Sequence, residues 1–198
     1  MGFTDAELQA CRGALVDDLV GDDCRLLFVG INPSLWSAAT GAHFARRGNR
    51  FYPALHRAGI LDRVIDASRG WTDADRADLM AAGVGITNIV GRATARADEL
   101  DVEELRAGWR LLADRVDAIA PTVVAIAGIT AYRSASGDRA AGTGRQSVDL
   151  RNRPLWVVPN PSGLNAHHTV NSLAAAYREV AIAAGLTIAD PVSGPVHR

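Results

Sequence analysis

The chain has no lysine; every one of its 21 basic residues is arginine. Schiff-base chemistry on a side-chain amine is therefore excluded, because only lysine supplies that amine. Cysteine is nearly missing too. Cys11 and Cys24 stand alone with no C-x-x-C spacing, which excludes a cysteine-rich zinc site and an iron–sulfur cluster. Two free thiols in a reducing compartment are expected. Neither sign of charge is in excess: 22 acidic residues against 21 basic ones leave a formal net charge of −1. Wholesale polyanion binding is thus excluded, whereas a local basic patch is not. No apolar run approaches the roughly 20 residues of a membrane span. The Met1–Asp5 start lacks the basic and apolar regions of a secretion signal, so a cytoplasmic address without a membrane partner is expected. No Gly-rich turn matches G-x-G-x-x-G after an apolar run, so a plain dinucleotide-binding domain fits poorly.

What is present is a 198-residue chain, 48% hydrophobic and 22% charged, without repeats or linkers. One domain spanning residues 1–198 is expected, with a loose tail from about 190. Thr4 and Glu7 form a capping-box pattern, and Leu8, Cys11, Leu15 and Leu19 recur at helical spacing, predicting a helix from Asp5 to Leu19. Short apolar runs at Arg25–Val29, Val84–Val90, Thr122–Ala127 and Leu155–Val158 read as four buried strands. Helices are predicted over Asn49–Ala58, Asp73–Ala82, Val102–Ala120, up to Ser136 and over Val170–Ala184. Polar loops are predicted from the Gly30 turn to Gly48 and from Gly137 to Gln146. Strands alternating with helices argue for a mainly parallel sheet covered on both faces.

Two polar turns follow two of these strands: Gly30-Ile31-Asn32-Pro33-Ser34 and Asn160-Pro161-Ser162-Gly163-Leu164-Asn165. Ligand sites of open α/β sheets form outside the carboxyl ends of strands, so the two turns can share one cleft. The first turn, followed by Thr40-Gly41-Ala42-His43-Phe44 and Asn49-Arg50-Phe51-Tyr52, resembles the uracil-DNA glycosylase superfamily. The nearest likeness is to its mismatch-specific uracil-DNA and thymine-DNA glycosylase branch. The resemblance continues in register through Gly85–Val90, Arg92-Ala93-Thr94 and Asn160–Leu164, covering roughly Cys24 to Ala184.

The resemblance implies a three-layer α/β/α sandwich around a four-stranded, mainly parallel sheet. It implies hydrolysis of the N-glycosidic bond between deoxyribose and uracil or a related base in DNA, with no metal or cofactor, and a monomeric enzyme is expected. Asn32 matches the position that orients the attacking water, with Thr94 close by. A neutral amide positions water but is no general base near pH 7, so slow turnover is expected. Phe44 matches the residue on which the extracted base stacks. The backbone N–H groups of Ile31 and Phe44 match contacts to the base carbonyls, an oxyanion-hole-like device. His43 lies beside them, either solvated or in a direct role. Asn88 matches a base-reading amide able to pair with O4 and N3–H of uracil and, in a fixed rotamer, to reject cytosine.

Ser34, where close relatives usually have Gly, and Ser37 join this substrate-binding set. In the second turn Gly163 permits close approach to DNA and Leu164 can wedge into the vacated stack. Asn160, Ser162 and nearby N–H groups complete a DNA-binding set. Ala166 stands where relatives offer an arginine to the opposite strand, a role left to His167 or His168. Arg46, Arg47 and Arg50 either contact phosphate or form a solvated face. Two other readings stay open: a lesion or abasic-site binder with weak catalysis, and a small-molecule N-glycoside hydrolase.

Overall fold

β1, Leu26–Gly30, is buried at every position because strands flank it on both edges and helices cover both faces. The computed structural model describes residues 2–164 and 167–190; Ala166 and the 191–198 tail lie outside them. β1 pairs in parallel with β2, Val84–Asn88, on one side and with β3, Val123–Ala127, on the other. β3 pairs in parallel with β5, Arg153–Val158, and β4, Gly144–Leu150, runs antiparallel at the edge. The order is β2-β1-β3-β5-β4. The chain thus leaves β1 toward β2 and later returns to its other side, placing a topological switch at the end of β1.

Alternation along the strands builds one core on each face. Leu26, Phe28, Ile86, Val123 and Ala125 point to a core with Phe51 and Leu55 of α3, Phe51–Arg57, and Leu173 and Tyr177 of α7, Val170–Ala183. Leu27, Val29, Val124, Ile126 and Val157 point the other way, against Leu105, Leu112 and Val116 of α5, Val102–Ile119, and Tyr132 of α6, Ile129–Ser136. Helices on both faces of a mainly parallel sheet match the expected architecture. The strand count does not: five strands form the sheet.

β4 escaped the sequence reading because it is an edge strand, buried at two of its seven positions and otherwise exposed or half-exposed. Its hairpin to β5 turns at Arg151 and Asn152, both at positive φ (52° and 60°), the conformation that suits strand twist in a two-residue turn. The polar loop after β1 also contains a short helix, α2, Leu35–Thr40, capped by the Ser34 hydroxyl and closed by Gly41 at φ 66°. The first helix is shorter than expected. α1 is Asp5–Ala10, and Gly13 at φ 78° turns the chain into an extended stretch. Leu19 in that stretch exchanges backbone hydrogen bonds with Ile86, at 3.0 and 2.8 Å, and covers the free edge of β2. Leu15 is left 75% exposed, so the helical spacing of Leu15 and Leu19 was coincidental. α4, Asp73–Ala81, fits its expected range to within a residue. Among the described residues no helix is long and apolar enough to cross a membrane.

Both cysteines are free thiols, Cys11 half-buried and Cys24 buried. Burial pushes the Cys24 thiol up to about 11, which leaves it protonated and unreactive at neutral pH. A disulfide-exchange reagent at pH 8 should therefore titrate one thiol rapidly in the native chain and both after denaturation. Two fast thiols in the native protein would contradict this burial.

Candidate functional site

A cavity of about 650 Å³ opens where β1, β2, β3 and β5 end. Ile31, Asn32, Ser34, Ser37, His43, Phe44, Asn88, Thr94, Asn160, Ser162 and Leu164 all line it. The two polar turns therefore do share one cleft. Gly163 and His167 are not among the lining residues.

The Asn32 carboxamide is anchored through its nitrogen. Nδ2 donates to Thr94 Oγ1 at 2.7 Å, to the Arg92 carbonyl at 3.0 Å and to the Pro33 carbonyl at 3.2 Å. Two of these partners are carbonyls, which can only accept, so the amide cannot be flipped. Its Oδ1 has no hydrogen-bond partner among the described residues, leaving an acceptor for a water. Thr94 is buried, and its hydroxyl donates to the Arg96 carbonyl at 2.7 Å. That hydroxyl can then accept from Asn32, which makes Thr94 a positioning residue for the amide.

Asn88, at the end of β2, is held with equal firmness in the other corner. Its Nδ2 lies 3.0 Å from His43 Nδ1, and His43 Nε2 lies 3.1 Å from the Asp17 carbonyl. The carbonyl requires a proton on Nε2, and a ring kept neutral by burial then has Nδ1 bare to accept from Asn88. This is a neutral imidazole. Burial pushes its pKa below the ordinary histidine value, outweighing the upward pull of the Asp17 carbonyl and the Asp18 carboxylate. The Asn88 backbone carbonyl accepts from Arg115 Nη2 at 2.6 Å. Asn88 Oδ1 hangs over the end of β1, where a Cβ on Gly30 would meet it at 2.4 Å. Only glycine leaves that space. His43 is thus neither solvated nor a free acid: it orients Asn88.

Phe44 lines the cavity and stacks on Phe51, with ring centroids 4.2 Å apart and planes 24° off parallel. Its φ of 54° is an uncommon left-handed conformation for a bulky residue and is held by its surroundings. The preceding His43 carbonyl accepts from the Tyr52 hydroxyl at 2.7 Å, which accepts in turn from Trp71 Nε1 at 2.8 Å. Neither the Ile31 nor the Phe44 N–H has a partner among the described residues. Ser34 and Ser37 face each other, hydroxyls 3.1 Å apart, so both serve the start of α2 as well as the cavity wall.

A family model for the uracil DNA glycosylase superfamily matches residues 18–181. The chain belongs to this superfamily. Its fold is similar to a solution NMR structure from Methanosarcina acetivorans of a protein provisionally named a uracil DNA glycosylase. That likeness has a TM-score of 0.58 at 15% identity, covering 86% of this chain and 98% of the other.

In this superfamily member the second turn is built mainly on contacts within the protein. Asn160 Oδ1 accepts from the Ser162 N–H at 3.0 Å, and Ser162 Oγ from the Leu164 N–H at 3.3 Å. A Cβ on Gly163 would meet the Gly48 carbonyl at 2.5 Å. The close approach that needs this glycine is therefore to the chain's own loop. Leu164 is 76% exposed at the rim. Arg46 is exposed on the same rim, whereas Arg50 turns inward to the Ser162 and His168 carbonyls. Asp17 and Arg115 were missed from sequence, since one contributes a backbone carbonyl and the other comes from a distant element. Among the described residues no group of three or more His, Cys, Asp or Glu is placed to hold a metal.

The neutral state of His43 has a pH signature. Its folded pKa is lowered, so below the unfolded value of about 6.5 the unfolded chain binds a proton that the folded chain resists. Stability contributed by this group is present above that value and lost as pH falls beneath it. Denaturant midpoints at pH 7.5 and 5.5 should therefore differ more for the wild type than for His43→Gln. An equal difference in both proteins would remove His43 from this role.

Proposed function

We propose that the chain is a monofunctional uracil-DNA glycosylase of the mismatch-specific, thymine-DNA glycosylase-like type. It acts as one monomeric domain on a uracil rotated out of DNA, and leaves an abasic site. The observation that carries this reading is the amide of Asn88, locked by His43 at the mouth of β1 and β2. One Nδ2 hydrogen is taken by His43, leaving the second and Oδ1 to face a base. A donor beside an acceptor complements O4 and N3–H of uracil and opposes the N4 amine and bare N3 of cytosine.

The chemistry follows from where charge develops. Heterolysis of the C1′–N1 bond leaves positive charge on the sugar and negative charge on the base. The unpartnered Ile31 and Phe44 N–H groups and the Asn88 amide stabilise the departing anion as fixed dipoles that need no reorganisation. Asn32 Oδ1 accepts from a water and aims its oxygen at C1′; the new C–O bond forms there as the base leaves. The water proton ends on the released base or on solvent. Among the described residues no carboxylate is hydrogen-bonded to Asn32, so the water is positioned without being deprotonated in advance and turnover is slow. Phe44, backed by Phe51, offers a flat apolar face to the extruded base, and Leu164 fills the gap it leaves. Exposed Arg46 meets backbone phosphate.

The missing general base also favours a second reading, a lesion binder with little catalysis. One experiment separates the two: single-turnover release of uracil from U·G, U·A and single-stranded oligonucleotides, with abasic-DNA affinity measured in parallel. Release is expected, and Asn32→Ala should slow it about 10²–10³-fold, the typical loss on removing one oriented polar group. Abasic-DNA affinity should stay within about threefold, because the lost group acts on the water. Tight abasic binding without release from any substrate would establish the binder instead, and release unaffected by Asn32→Ala would refute the mechanism.

A further inference from the structure

The exposed Leu164 needs a support, because a side chain that pushes into a base stack must not yield when pushed. Arg50 is placed to give that support. Its Nη2 donates to the Ser162 carbonyl and its Nη1 to the His168 carbonyl, one on each side of Leu164 along the chain. Its own N–H donates to the Pro161 carbonyl at 3.0 Å. The neighbouring Gly163 rests on the Gly48 carbonyl, two residues before Arg50. The next residue, Phe51, is fully buried and carries the Phe44 ring. The start of α3 therefore holds the aromatic wall of the cavity and both shoulders of the exposed leucine.

We infer that Arg50 is the positioning residue of the wedge, setting the height of Leu164 above the cavity. This rests on the glycosylase reading, in which Leu164 enters a duplex. A guanidinium reaches two carbonyls at once through separate N–H groups, whereas lysine presents a single ammonium. The role is mechanical and touches neither base nor water. A wedge matters only where a stack must be opened, so Arg50 acts on duplex substrate and leaves single-stranded substrate almost alone.

The test measures single-turnover release from U·G duplex and from single-stranded DNA for wild type, Arg50→Ala, Arg50→Lys, Leu164→Ala and Arg50→Ala/Leu164→Ala. Arg50→Ala should slow duplex release about tenfold or more and single-strand release less than about threefold, with Arg50→Lys between it and wild type. Because Arg50 works through Leu164, the double variant should lose no more on duplex than the worse single variant, a coupling that independent sites do not show. Equal losses on both substrates in Arg50→Ala and Arg50→Lys, or additive losses in the double variant, would overturn the inference. Wild type active on single strands alone would also overturn it while leaving the glycosylase reading intact. Wild type inactive on every substrate removes both.

Discussion

The Asn88 corner of the cavity depends on one proton being absent from one nitrogen. His43 donates from Nε2 to the Asp17 carbonyl and must accept at Nδ1, which obliges Asn88 to present its nitrogen there. Reverse the imidazole tautomer and the buried Asp17 contact fails, at about 1–3 kcal/mol, while Asn88 must turn its oxygen to the ring. The extended stretch after Gly13 exists in part to deliver that carbonyl, since the backbone exchange of Leu19 with Ile86 brings Asp17 within reach. Tyr52 and Trp71 secure the same residue from behind through its own carbonyl. Burial keeps the ring neutral against the upward pull of the Asp18 carboxylate, so the lock holds at neutral pH.

Asn32 and Asn88 are the same side chain given two uses by their surroundings. Asn32 has its nitrogen saturated by three acceptors and offers oxygen alone. Asn88 has one N–H taken and offers a hydrogen and an oxygen side by side. The first suits a water, the second a planar edge with alternating acceptor and donor. Asn88 ends β2 and Asn32 follows the end of β1 by two residues; these strand ends are in register, Gly30 opposite Asn88, so the sheet fixes where both amides start. Gly30 has no Cβ because the oxygen of Asn88 occupies that space. A backbone scaffold of this kind positions polar groups more firmly than loops alone.

Much of this was legible in the sequence. Buried apolar runs marked β1, β2, β3 and β5 because a strand covered on both faces has few polar positions to confuse the pattern. The Thr4–Glu7 capping box marked the start of α1 correctly, and α4 and α5 begin at the residues expected. β4 was hidden because an exposed edge strand carries the polar residues of a loop. The length of α1 was misjudged because Leu15 and Leu19 share helical spacing by chance, and only the pairing of Leu19 with β2 reveals their extended form. Asn32 and Asn88 were identified as candidates through the family resemblance. Their rotamers were not, since those depend on the Arg92 and Asp17 carbonyls, and a backbone carbonyl leaves no mark on a sequence.

The first turn of α3 joins what the two motifs divide. Phe51 supports the Phe44 ring from below while Arg50, one residue earlier, carries the loop that bears Leu164. Adjacent residues at a helix start point in different directions, so one short segment serves the cavity floor and the rim together. On the proposed reading this matters because extruding a base and filling its place are one event. A base settling on Phe44 and a leucine entering the stack have to keep a fixed separation, set by the dimensions of DNA. Two loops moving independently would hold that distance only on average. Anchored to the same turn of a buried helix, they hold it without further ordering at the moment of binding, and that ordering is where flexible sites lose affinity.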